Sequence, residues 1–287
     1  MNIAALQTFL AVLQTGNLNK AAEQLNVTQS TVTARLDALE ETLGQRLLVR
    51  SRRGAELTRA GFAFQRHAEL VVQTWEQGRK AVGLPKGFSG LFSFACHGDL
   101  WDGVGDDWIA SVSQAHPDLA LEAWPGAMSD IQRWLSSGLV DGALLPEPLS
   151  GPGLQSCEFT AERLVQVSSV PRAVRKWDPA YIFVDLGAAF RRQHSQAWPG
   201  DETAHVTFGS SRWALRYLLE NGGSAYLPWR LVEEHVRDGR LFPVDGAPEF
   251  ARTLHFVWRE ASVVQHPWLA AASAGGQSSP ADDPVLS

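Results

Sequence analysis

Apolar residues recur at helical spacing at the start of the chain. Four such positions predict a first amphipathic helix; they are Leu6, Phe9, Leu10 and Leu13. Thr15-Gly16-Asn17 predicts its end, and Asn17 or Asn19 is a suitable cap for a short second helix. A third helix follows the turn Asn26-Val27-Thr28, and its apolar face consists of Val32, Leu36, Leu39 and Leu43.

The rest of the predicted third helix is polar. Short hydroxyls, one amide and one guanidinium gather around its start, on Thr28, Gln29, Ser30, Thr31, Thr33 and Arg35. These are the groups that read base edges in a major groove. A helix, a short helix, a tight turn and a polar-tipped helix together predict a helix-turn-helix. The alternative that this pattern leaves open is an ordinary three-helix core.

Two strand-like pieces follow the third helix. Leu47–Arg50 and Gly54–Leu57 flank a short turn, which predicts a two-stranded wing. Arg50, Arg52 and Arg53 near its tip suit contacts with phosphates or entry into a minor groove. An isolated arginine turn is more often a solvated surface, but beside a helix-turn-helix we assign it to the DNA contact.

These features together resemble the DNA-binding domain of LysR-type transcriptional regulators. The matching positions, in the family's order and spacing, are Phe9, Ala21-Ala22-Glu23-Gln24-Leu25, Thr28-Gln29-Ser30, Leu39-Glu40, Leu43-Gly44, Leu47, Arg50, Leu57-Thr58 and Ala60-Gly61. Asn17 and Thr33 stand where the family usually has Ser, and Ser30 where Pro or Ser is common. Because these residues keep their hydrogen-bonding capacity, the departures concern the target sequence. The resemblance implies a winged helix-turn-helix over residues 1–58 that binds promoter DNA.

A long helix is predicted after Thr58, over residues 59–86. Its apolar positions follow a heptad pattern, at Phe64, Ala68, Val71, Trp75, Gly78 and Val82. The alternative is that this stripe packs on the chain's own core. The resemblance implies a linker helix that pairs two subunits, so we assign dimerisation to Phe64, Ala68, Val71 and Trp75. It also implies that homodimers assemble into a homotetramer.

Strand-like and helix-like runs alternate beyond Gly87, which predicts an α/β sheet. The predicted strands are Leu91–Cys96, Leu119–Trp124, Val140–Leu145, Arg163–Ser169, Tyr181–Val184, Thr207-Phe208, Ala225–Leu227 and Leu254–Trp258. The predicted helices are Trp101–Gln114, Ser129–Ser136 and Trp213–Glu220. The resemblance implies a two-lobed effector domain, built like a periplasmic binding protein, over residues 87–270. We expect the tail, residues 271–287, to be disordered because of its composition.

A ligand site is expected where strands of this sheet run into helices. Helix starts present unpaired N–H groups that suit an anion. The family's effector contacts fall at such turns, so we assign effector binding to Gly98, Asp99, Ser129 and Ser211. Asp99 could instead only cap its helix, and Glu147 could be a surface residue; if both face the cleft, an amine is the better ligand. We expect Trp101 and Trp213 in the lobe cores.

The balance of basic and acidic residues changes near Lys86, where the pattern of predicted elements also changes. Of its 287 residues, the part up to Lys86 holds 11 basic and 7 acidic ones, and the remainder 14 basic and 24 acidic ones. A basic N-terminal part suits a polyanionic partner. The start of the chain lacks a signal-peptide pattern, no apolar run is long enough for a membrane span, and there are only two cysteines. We therefore expect a cytoplasmic protein without a membrane partner.

Catalytic motifs are not evident in the sequence. It has no Gly-x-Ser-x-Gly, His-Glu-x-x-His, Cys-x-x-Cys or phosphate-loop pattern, so we expect no enzyme, no cofactor and no metal site. One alternative is a thiol sensor, in which His97 would favour the thiolate of Cys96. Against this, peroxide-sensing members of the family carry two cysteines in the second lobe, and this chain has only Cys157 near that region. Another alternative is a nucleoid-type DNA binder without a small-molecule ligand.

Overall fold

The computed structural model describes residues 2–51, 54–174, 178–199 and 204–270. The chain divides into two compact units, residues 1–86 and residues 87–287. Arg52, Arg53 and the tail expected to be disordered lie outside the described residues. None of the described helices is long and apolar enough to cross a membrane.

The N-terminal unit is a winged helix-turn-helix followed by a long helix, as predicted. Its elements are α1 (Ile3–Thr15), α2 (Leu18–Gln24), α3 (Gln29–Leu43), β1 (Leu48–Ser51), β2 (Gly54–Leu57) and α4 (Arg59–Val82). A polar residue stands immediately before each helix, where its side chain accepts a free N–H of the first turn. Asn17 caps α2, Thr28 caps α3 and Thr58 caps α4. The two strands pair antiparallel and form the wing.

The first half of the apolar stripe of α4 packs against the core of its own unit, and the dimer assignment of Phe64, Ala68, Val71 and Trp75 stays a prediction. Ala68 is 0% exposed, and Phe64 and Val71 pack against the cluster formed by α1, α2 and α3. The rings of Phe64 and Phe9 lie 5.9 Å apart between centroids. The reason is that α4 packs along α1, which covers Ala68 fully and Phe64 and Val71 in part. Trp75, on the same stripe, remains 50% exposed.

The C-terminal unit is a two-lobed α/β structure built on one long mixed sheet. Its strands are β3 (Gly90–His97), β4 (Leu119–Gly126), β5 (Gly142–Leu145), β6 (Leu154–Ser168), β7 (Tyr181–Val184), β8 (Val206–Phe208), β9 (Ser224–Pro228), β10 (Phe242–Pro243) and β11 (Phe250–Arg259). Its helices are α5 (Asp106–Ala115), α6 (Met128–Ser137), α7 (Ala188–Ala197), α8 (Ser211–Asn221) and α9 (Trp229–Arg237). The strand order is β4-β3-β5-β11-β6-β9-β7-β8, with β10 beside β6.

Two long antiparallel strands connect the lobes. The first lobe contains β3, β4 and β5, which are parallel neighbours, and the second contains β7, β8 and β9. β6 and β11 lie between them, and their pairing runs from Phe250 opposite Leu164 to Arg259 opposite Leu154. Each lobe has its own apolar core. The carboxyl ends of the parallel strands of both lobes therefore point towards the junction where the lobes touch, which is called the inter-lobe crevice below.

Several elements differ from the prediction. The helix expected from Trp101 begins only at Asp106, because Gly103 has a φ of +75° and Asp106 Oδ1 accepts the Gly103 N–H at 2.7 Å. β6 starts at Leu154, nine residues before the predicted strand, and α7, α9 and β10 were not among the predicted elements. Trp213 is 69% exposed and Trp101 is 36% exposed, so their expected place in the lobe cores was wrong.

Candidate DNA interface and inter-lobe site

The start of α3 presents a small polar surface. Thr28, Gln29 and Ser30 are exposed, and Thr31 and Thr33 are half-buried. The opposite side of the helix is anchored, since Val32, Leu36 and Leu39 are buried. The Thr28 hydroxyl has a structural task, because it accepts the Thr31 N–H and lies 2.8 Å from the hydroxyls of both Ser30 and Thr31. Gln29 and Thr33 are therefore the side chains with the most freedom to reach a ligand.

Arg35 is oriented differently from the other predicted base-reading residues. It follows Val32 by three positions and so lies beside the buried stripe. Its Nη1 donates to Thr8 Oγ1 of α1 at 3.4 Å, and Thr8 is fully buried. This contact holds the guanidinium near α1. Of the predicted wing arginines, Arg50 lies in β1, and Arg52 and Arg53 are outside the described residues.

Asp99 and Ser211, two of the predicted effector residues, are in direct contact across the lobes. Asp99 follows β3 of the first lobe, and Ser211 is the first residue of α8 in the second. Asp99 Oδ1 accepts the Ser211 N–H at 2.7 Å, and Oδ2 accepts the Ser211 hydroxyl at 2.9 Å. The carboxylate thus occupies the positive end of α8, where an anion is favoured.

A buried arginine that is paired with a glutamate lies beside this carboxylate. Arg252 of β11 and Glu162 of β6 are register partners, and Arg252 Nε donates to Glu162 Oε1 at 2.6 Å. Arg252 Nη2 also lies 3.5 Å from Asp99 Oδ2, and its side chain is only 3% exposed. Buried ions are retained when partners and hydrogen bonds satisfy them. Here the guanidinium is further satisfied by the Leu186 carbonyl at 3.0 Å.

Further contacts hold the lobes together on either side of Asp99. Arg230, the second residue of α9, donates to the carbonyl oxygens of Asp99 and Asp102 and to Glu162 Oε2. Glu147, after β5 of the first lobe, accepts the Ala188 N–H at the start of α7 at 2.6 Å. Gly187 allows this approach, because a Cβ there would lie 2.9 Å from Glu147 Oε1. The two acids predicted to face the cleft therefore each bind a helix start of the other lobe.

Burial changes the protonation of two residues beside the crevice. It lowers the pKa of His97, against the opposing effect of Asp99, so that the imidazole is neutral near pH 7. It also raises the pKa of the Cys96 thiol to about 12. Cys96 is 1% exposed, and its Sγ lies 3.4 Å from the His97 carbonyl oxygen. A neutral imidazole and a buried thiol do not produce a reactive thiolate.

The other predicted effector residues are not part of this contact network. Gly98 is exposed, with open space where a Cβ would be. Ser129 is exposed on the first turn of α6, and among the described residues no hydrogen bond joins it to Asp99 or Ser211. Sequence reasoning missed Glu162, Arg230 and Arg252. These three residues are distant along the chain, and Glu162 and Arg252 meet only because the register of β6 and β11 places them opposite each other.

Comparisons with known proteins give one consistent result. Residues 3–62 match the family described as bacterial regulatory helix-turn-helix protein, lysR family, and residues 85–269 match the LysR substrate binding domain. The transcriptional regulator HdfR of Shigella boydii serotype 18 is 28% identical over 265 residues, which is 91% of this chain and 93% of that protein. HdfR of Yersinia enterocolitica is 28% identical over 273 residues, covering 91% and 92%.

The fold is also similar to that of a solved full-length regulator. The crystal structure of CbnR, a LysR family transcriptional regulator, has a TM-score of 0.75 at 16% identity and covers 97% of this chain and 100% of that one. A second structure, full-length CbnR complexed with its target DNA, has a TM-score of 0.71 at 18% identity, covering 93% and 98%.

Proposed function

The chain belongs to the LysR family of bacterial transcriptional regulators, and on that premise we propose that it reads promoter DNA through the start of α3. It is a DNA-binding regulator with a substrate-binding domain. The observation that carries the proposal is the polar surface of Gln29, Ser30 and Thr33 on a helix whose other side is anchored in the core. A recognition helix contacts base edges with its N-terminal residues, and this surface occupies that position.

Individual roles follow from the contacts. Gln29 and Thr33 are proposed to contact bases, and Thr28 to hold the first turn of α3 through its cap. Arg35 is proposed to position α3 against α1 through Thr8, with its charge available to a phosphate. Arg50, Arg52 and Arg53 remain assigned to phosphates or the minor groove on the sequence alone.

The matched test compares two exposed glutamines. Gln29 is exposed at the start of α3, and Gln45 is exposed beyond its end. Gln29→Ala should reduce discrimination between cognate and mismatched duplexes by about 1–3 kcal/mol at one base pair. Gln45→Ala should leave discrimination unchanged. Competition binding at fixed salt measures both variants, and equal discrimination by Gln29→Ala and the wild type would contradict the assignment.

The inter-lobe crevice is the proposed effector site, with Gly98, Asp99 and Ser211 at its wall. Support comes from the open space that a Cβ at Gly98 would enter, and from the contact between the two lobes at Asp99. An effector would act by favouring one arrangement of the lobes. Ser129 stays a proposed contact on its helix-start position alone.

The assembly is proposed to be a homodimer that pairs into a homotetramer, located in the cytoplasm. Symmetric dimers read inverted repeats, so each dimer is expected to bind a two-fold symmetric site. The half-exposed Trp75 on α4 supports a contact with a second chain. The relatives found are transcriptional regulators, and we propose no catalytic activity. The buried Cys96 supports a small-molecule effector over thiol sensing.

A further inference from the structure

We propose that Asp99 is an internal ligand of the inter-lobe crevice, whose carboxylate takes the position that a small carboxylate effector would otherwise occupy. The proposal rests on the effector site described above and specifies its chemistry. It predicts that the wild-type chain does not bind simple carboxylates at this position, and that removal of the Asp99 carboxylate creates a site that does.

The first argument is the completeness of the carboxylate's coordination. Both oxygens of Asp99 have donors from Ser211, one from the main chain and one from the hydroxyl. Oδ2 also faces Arg252, a cation whose side chain is 97% buried. A helix N-terminus, a hydroxyl and a guanidinium are the donor set that proteins use for a bound carboxylate. Here the carboxylate comes from the opposite lobe.

The second argument is charge balance. Around the contact lie two carboxylates, Asp99 and Glu162, and two guanidiniums, Arg230 and Arg252, all within one hydrogen-bonded network. His97 is neutral near pH 7, and Arg212 is paired with Asp102 at 3.2 Å. The network therefore has no spare cation for an incoming anion. An anionic effector must displace a member of the network.

The third argument is that a carboxylate of the first lobe binds a helix start of the second lobe at two places. Glu147 of the first lobe caps α7 of the second, as Asp99 caps α8. Arg230 adds hydrogen bonds from α9 back to the carbonyl oxygens of Asp99 and Asp102. Three helix starts of the second lobe thus bind the first lobe without any added molecule. Asp99 differs from Glu147 because only Asp99 is also paired with a buried arginine.

The test is rescue of a cavity variant by a free carboxylate. Thermal unfolding of the full-length Asp99→Ala variant is measured in sodium formate and in sodium chloride at equal ionic strength. A ligand that binds only the folded chain raises the melting temperature in a saturable way. We expect Asp99→Ala to melt several degrees below the wild type, and formate, but not chloride, to restore much of the loss. The wild type should respond equally to both salts.

Three further variants make the result specific. Asp99→Asn fills the same space, so formate should not rescue it. Glu220→Ala removes an exposed acid that is paired with Arg216 near the end of α8, and it should show no formate effect. In Asp99→Ala combined with Ser211→Pro the formate effect should vanish, because proline suits the first position of a helix but removes both Ser211 donors. If Asp99→Ala does not fold, Asp99→Ser, which keeps a short acceptor for the Ser211 N–H, replaces it.

Several outcomes would overturn the proposal. They are a folded Asp99→Ala variant that responds equally to formate and chloride, a formate effect that survives Ser211→Pro, or equal rescue of Asp99→Asn. Wild-type stabilisation by formate that Ser211→Pro removes would also overturn it, while supporting the crevice as an effector site. Failure of the regulator function itself would appear separately, as loss of sequence discrimination in the Gln29 experiment.

Discussion

At the residue scale, Arg252 connects the two lobes more than any residue expected from the sequence. Its guanidinium contacts Glu162 across the paired strands, Asp99 of the first lobe and the carbonyl oxygen of Leu186. Asp99 and Ser211 were predicted because strand-to-helix turns are readable in a sequence. Their partner was not, because Arg252 lies within a strand and meets Asp99 only through the fold. Local chemistry is thus predictable from the sequence, and long-range pairing is not.

The buried thiol yields a prediction at the same scale. Because burial raises the pKa of Cys96 to about 12, the thiol stays protonated throughout the range from pH 6 to 9. We expect Cys96 to react with iodoacetamide at least about 100-fold more slowly in the folded chain than in urea. Mass spectrometry of the labelled peptides measures the rate, and Cys157, which is half-buried, serves as the internal comparison. Rapid labelling of native Cys96 would revive the thiol-sensing alternative.

At the scale of elements, patterns of period 3.6 predicted the helices of the N-terminal unit well. Each helix has an apolar stripe that is buried in the core and a polar cap residue that accepts an N–H of its first turn. The first nine residues of β6 were missed for the opposite reason. They are mostly exposed, so no apolar alternation marks them, and their pairing with β11 makes the strand. The stripe on α4 was found correctly, but a stripe alone does not say which surface covers it.

Two substitutions on α4 separate the core from the remaining dimer surface. Ala68→Glu places a charge in a fully buried position, so we expect the N-terminal unit to lose several kcal/mol of unfolding free energy. Trp75→Glu changes a half-exposed position and should alter stability by about 1 kcal/mol or less, while weakening dimers. Urea unfolding and analytical ultracentrifugation measure the two effects. A Trp75→Glu variant with undiminished dimers would place the pairing surface elsewhere.

At the scale of the whole molecule, the two units have different chemistry. The part up to Lys86 is the basic one, and the part from Gly87 is acidic and carries the internally neutralised crevice. Composition and the resemblance predicted this division into a DNA-binding part and an effector-binding part. The sequence did not predict that Asp99 and Glu147 of the first lobe bind helix starts of the second lobe. Which helix starts face these two carboxylates is decided only by the fold.

The central claim, that the chain is a sequence-specific regulator, is tested most directly by selection from random DNA. The purified wild-type chain is incubated with a pool of random duplexes at physiological salt, and the bound fraction is sequenced over several rounds. The account predicts enrichment of a two-fold symmetric motif, and loss of preference at one position of each half-site with Gln29→Ala. Binding without an enriched motif, equal for the two proteins, would contradict it and indicate a nucleoid-type DNA binder.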